Sequence, residues 1–126
     1  MQRIHSHLLA LGAIYLVIGL ALGLHMGASH EFKFAPVHAH INLVGFVLHS
    51  AFALIYRAWP AMADTILAKV HFWLFIIFSP ILMVGIALTL TGGPEIPVMV
   101  GSMGVFLGIL AFAANVLRFW GTGKLA

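Results

Sequence analysis

Four long apolar runs, near residues 7–27, 37–57, 69–91 and 96–119, constrain this chain more than any other feature. Each is long enough to cross about 30 Å of hydrocarbon at about 1.5 Å per residue. In lipid the backbone has no water to bond, so each run must satisfy its own N–H and C=O groups, and a helix does so. Composition agrees: 63% of the 126 residues are hydrophobic and 7% are charged, too apolar for a soluble domain of this size. The connections are short, which leaves one domain over 1–126 and no linker able to tether a soluble module. The expected fold is an all-α integral membrane protein of four transmembrane helices.

The six basic residues set its orientation. Arg3, Arg57, Lys69, Arg118 and Lys124 fall on one side of a four-span arrangement, and Lys33 falls on the other. The positive-inside bias then puts both termini in the cytoplasm, as in a multi-pass protein of the inner (cytoplasmic) membrane of a prokaryote. These charges are scattered rather than clustered, which argues against nucleic acid as a partner. Cysteine is absent, so disulfides, thiolate metal sites and a covalently attached c-type heme are excluded. Arg3 and the run after it have some look of a signal peptide. The run is long for one, Ala28-Ser29 is a poor cleavage site, and His25 lies inside it, so the first span is expected to stay.

Local signals mark the span ends. Pro36 suits the first turn of the second helix, and Thr91-Gly92-Gly93-Pro94 breaks the chain before the fourth. Ser79-Pro80 is expected to kink the third. Tyr56, Trp59, Trp73 and Trp120 fit an interfacial aromatic belt. Gly19 with Gly23, and Gly104 with Gly108, form small-xxx-small pairs that let helices approach closely, either within one chain or between protomers.

The chain has eight histidines, and two of them make a His-x-His pair, His38 and His40, where the second span begins. A buried imidazole needs partners, and heme iron or another metal is the partner of highest value. Polar packing between helices is the alternative. Successive helical residues turn by about 100°, so the two rings diverge by about 200° and face different sites. Asn42, four residues after His38, shares its face and can hold a ligand ring, cap a propionate or bond another helix. His49, eleven residues after His38, falls on that face about three turns deeper, where an ionisable group needs a partner. His25 ends the first span at the depth of the pair, as a ligand, a supporting group or an interfacial histidine. His30 reads as a solvated loop residue. His5 and His7 form a second His-x-His near the terminus, and His71 sits beside Lys69 in an unremarkable interfacial position.

The three acids, Glu31, Asp64 and Glu95, all fall in loops or at span ends. A pump or carboxylate-gated ion path normally places protonatable groups inside the bilayer. No Ser/His/Asp or Cys/His nucleophilic arrangement and no phosphate loop can be assembled.

The second and third spans resemble a known family. Val37-His38-Ala39-His40, Leu43-Val44-Gly45-Phe46, Leu54-Ile55-Tyr56 and Pro60, then Val70-His71-Phe72-Trp73-Leu74, are similar to the catalytic subunit of heme-copper oxidases. The likeness is greatest to the branch shared with nitric oxide reductases, and it covers roughly residues 36 to 90. The first span and its outer loop, ending Phe34-Ala35-Pro36-Val37-His38, are also similar to that family's first two helices. By this resemblance His38 is placed as the ligand of a high-spin heme and His40 as the ligand of a low-spin heme, while His71 receives no ligand role. The family also carries copper, held by histidines that include an adjacent His-His pair, and this chain has no such pair.

Family subunits have about twelve helices in three arcs of four. Three copies of a four-helix unit would rebuild that number around a threefold axis, closing as a ring. His40 of one protomer and His38 of the next would then clamp one iron, giving up to three bis-histidine b-type hemes per homotrimer. The expected function is electron transfer, from quinol or to a redox protein, since two axial imidazoles leave iron no open position. An open position would allow oxidoreductase chemistry on a diatomic gas. The alternatives are a heme or metal carrier or assembly factor, and a transport protein whose histidines line a path for protons or a divalent metal.

Overall fold

The computed structural model describes residues 3–122, and the chain over that range is almost entirely helical. Lys124, one of the charges behind the expected orientation, lies outside the described residues. Helix α1 is Ile4–Ser29. The second span, Ala35–Ala58, is built from α2 (Ala35–His40), a π-helical segment (Ile41–Leu48) and α3 (His49–Ala58). A single short turn, α4 (Pro60–Ala63), leads into α5 (Ile66–Leu90), and α6 (Ile96–Gly121) follows. Four helices are therefore long and apolar enough to cross a membrane, as in a multi-pass protein. Each expected run lies within a few residues of its helix.

The ends have local causes. Proline stands in the first turn of α2, α4 and α6, where its missing N–H costs nothing. Thr65 caps α5, its Oγ1 accepting from the Ala68 amide at 3.1 Å. His30 closes α1 in a left-handed conformation, and Gly92, at φ 80°, turns the chain after α5. α5 runs on through Pro80.

Across the bundle the order is α1, second span, α5, α6. The α5–α6 hairpin has the most extensive contact, and α1 packs along the whole second span. Glycines permit both. A Cβ on Gly85 would run into the Val98 nitrogen, and one on Gly101 into the Leu82 nitrogen, so backbone meets backbone. Gly104 seats the Phe78 ring and Gly108 meets Leu74. On α1, Gly19 receives Asn42 and Gly23 receives His38. Both small-xxx-small pairs thus serve contacts within one chain.

Polar groups cross the seams between these pairs. Tyr15 of α1 reaches Ser79 of α5, oxygen to oxygen, at 3.2 Å. Asn115 of α6 donates to the Met62 carbonyl of α4 at 3.0 Å and accepts from Thr65 at 3.1 Å. Many large apolar side chains remain exposed, among them Val17, Leu24, Leu54, Val84, Met99 and Leu117, as suits a lipid-facing surface.

One aromatic departs from the expected belt. Trp73 and Trp120 are exposed, and Trp59 is partly so, but Tyr56 is 1% exposed. Its ring packs among His71 and Phe112, and its hydroxyl bonds His71, so it is a core residue.

Candidate functional site

His38 and His40 stand in the last turn of α2, at the end of the bundle that holds the loops around residues 31–34 and 91–95. His38 turns onto α1. Its Nδ1 donates to the Gly19 carbonyl at 2.8 Å, and its ring fills the notch left by Gly23, where a Cβ would lie 2.8 Å from Cε1. The Asn42 amide donates to the His38 carbonyl at 2.8 Å and lies 3.4 Å from the ring's Nε2. Asn42 therefore does touch the His38 ring, as its spacing suggests.

His40, about 200° further round the helix, turns away from that notch. Its Nδ1 donates to the Pro36 carbonyl of its own helix at 2.8 Å, and the side chain is half-buried. The two rings share one property. A carbonyl oxygen carries no proton, so in each the hydrogen must reside on Nδ1. In a neutral imidazole that leaves the lone pair on Nε2. Backbone-anchored Nδ1–H with a free Nε2 is the arrangement by which proteins orient a ligating histidine. His40 fits heme iron in this respect, whereas at His38 the Nε2 lone pair already meets the Asn42 amide at 3.4 Å, which iron would have to displace.

The other candidates are spread out. His25 and His30 are exposed at the end of α1, held near Ser29, whose hydroxyl donates to the His25 carbonyl at 2.9 Å. His7 bonds the Arg3 carbonyl through Nδ1 at 2.7 Å, and its ring meets the edge of Phe72. Among the described residues, no group of three or more His, Asp or Glu side chains converges as a metal-ion site.

His49 continues the His38 face deeper in the bundle. The second span turns His38 to Gly23, Asn42 to Gly19 and His49 to Gly12, all on α1. His49 lies fully buried between Tyr15 of α1 and Phe75 of α5, at ring-centroid distances of 5.2 and 4.7 Å. Its Nδ1 donates to the Val44 carbonyl at 3.0 Å.

His71 is the residue that sequence reasoning most undervalued. Its position beside Lys69 reads as interfacial, yet it is fully buried among Phe52, Tyr56, Phe75 and Phe112. Its Nδ1 lies 2.9 Å from the Tyr56 hydroxyl. With Ser79 and Asn115, both also fully buried, it belongs to a polar column in the bundle that the pattern of apolar runs concealed. The available signal was the pairing of Tyr56 and His71 across a short connection.

A scan against protein-family models, a search of curated proteins and a search of solved structures each found no match.

Proposed function

We propose that this chain is a membrane b-type heme protein, with His38 and His40 as axial ligands and electron transfer as its role. The observation that carries this is the shared anchoring of their Nδ1 atoms on backbone carbonyls, which puts the lone pair of each ring on Nε2; at His38 iron would take the place of the Asn42 amide. Because the rings diverge, one chain does not place both on a single iron. The ligand set is completed when His40 of one protomer meets His38 of the next, in a homotrimer of twelve helices. A bound heme supplies one-electron chemistry, and a pair of axial imidazoles leaves no open position for a gas.

The chain's own residues do the rest. Gly19 and Gly23 admit His38 to α1 and hold its orientation, while Asn42 braces the ring from the following turn. The basic residues favour both termini in the cytoplasm of a prokaryotic cell, which sets the ligand pair near the outer face of the inner membrane. There a quinol or a redox protein can exchange electrons with it.

The deciding experiment is an oxidised-minus-reduced absorption spectrum of protein purified from cells supplied with haemin, with carbon monoxide added afterwards. A low-spin Soret band unaffected by carbon monoxide is expected, and His38→Ala or His40→Ala should each remove it. Colourless wild-type protein, or an unchanged spectrum in either variant, would overturn the proposal. A carbon monoxide shift would point to an open iron position and to gas chemistry.

A further inference from the structure

His49 and His71 offer a second site, at a different depth and independent of the heme proposal. Both are fully buried, and the Nε2 atom of each has no hydrogen-bond partner. Both rings pack on Phe75, at centroid distances of 4.7 and 5.5 Å, so they are near neighbours across the seam between the second span and α5. A buried polar atom left unbonded costs free energy, and such atoms are normally satisfied by protein or by ordered water.

The two orphans are complementary. His49 donates from Nδ1 to the Val44 carbonyl, so its Nε2 is an acceptor. The Tyr56 hydroxyl is buried and its proton needs an acceptor, and the nitrogen in reach is His71 Nδ1. Tyr56 therefore donates to His71, and the hydrogen of His71 resides on Nε2 as a donor. One donor and one acceptor that do not touch call for a small neutral guest able both to accept and to donate. A metal ion would need lone pairs on both nitrogens, which the Tyr56 bond denies. The third orphan, Ser50 Oγ, makes no such demand, because a helical serine can rotate onto the carbonyl four residues back.

We propose that a buried water molecule bridges His71 Nε2–H to His49 Nε2. It joins Tyr56, His71 and His49 into one directed hydrogen-bonded chain. Tyr15, Ser79, Ser50 and the Asn115 side chain at Tyr56 lie around this chain, none of them a carboxylate. The three acids are exposed.

Solid-state NMR of isotope-labelled protein in lipid bilayers, with histidines assigned sequentially, tests this. His71 should appear as the Nε2–H tautomer and His49 as the Nδ1–H tautomer, with a cross-peak from His71 Nε2–H to a water resonance. Tyr56→Phe should release His71 to the other tautomer and abolish that cross-peak. Two Nδ1–H tautomers in the wild type, or no water contact at His71, would overturn the site. The wild-type spectrum decides even if the variant fails to fold, and either result leaves the heme spectrum to be judged separately.

Discussion

The orientation of His38 depends on what is missing from Gly23. With a hydrogen where other residues carry Cβ, α1 admits the imidazole and gives it the Gly19 carbonyl to bond. A methyl group there would meet the ring at 2.8 Å, so one of the two must move. Gly23→Ala should therefore displace His38, and on the heme reading should weaken or shift the Soret band. Gly27→Ala, one turn on with nothing within 4 Å, should leave that band unchanged. Equal spectra from both variants would mean that the notch does not position the ligand. At this scale the sequence showed the His-x-His pair and Asn42 clearly, because their spacing and their apolar setting are local properties. Tyr56 and His71 were legible as residue types but not as partners. Their burial depends on how two helices meet, which no local pattern encodes.

Between helices, glycine decides the geometry again. Gly85 and Gly101 bring α5 and α6 together backbone to backbone, with no side chain between them. A branched residue at Gly101 would have to push the Leu82 backbone away, since a peptide cannot change rotamer. Gly101→Val is expected to destabilise the protein by about 1–3 kcal/mol, in the range of other overpacked sites. The check is a lowered midpoint in thermal or detergent-induced unfolding, and an unshifted midpoint would contradict the close approach. Helix number and approximate ends followed directly from hydropathy and proline placement. The π-helical segment over Ile41–Leu48, within which Gly45 accommodates the Tyr15 ring, did not. Even so, His38, Asn42 and His49 all stay turned to α1, as a count at α-helical pitch expects.

For the molecule as a whole, subunit sharing has its own signature. If each heme takes His38 from one protomer and His40 from its neighbour, co-expressing His38→Ala with His40→Ala should restore part of the heme that neither retains alone. The intact His38 of one variant then faces the intact His40 of the other. No restoration in co-purified mixed oligomers would dismiss the pair as ligands shared between protomers. Orientation can be read with equal economy, because the chain contains no cysteine. Lys33 and Asp64 are both exposed and lie at opposite ends of the bundle. Lys33→Cys should react with an impermeant maleimide added outside intact spheroplasts, and Asp64→Cys only after permeabilisation. The reverse pattern would invert the topology.

The intimate seating of α5 on α6 has a mechanical corollary. A joint without side-chain cushioning has little compliance, so these two helices form a stiff strut. Adjustment to any guest near His38 would fall instead on α1, which leans against its neighbour through a flexible amide and a rotatable ring. Tilt of the amino-terminal helix, rather than breathing of the carboxy-terminal pair, is then the deformation by which the molecule would register occupancy.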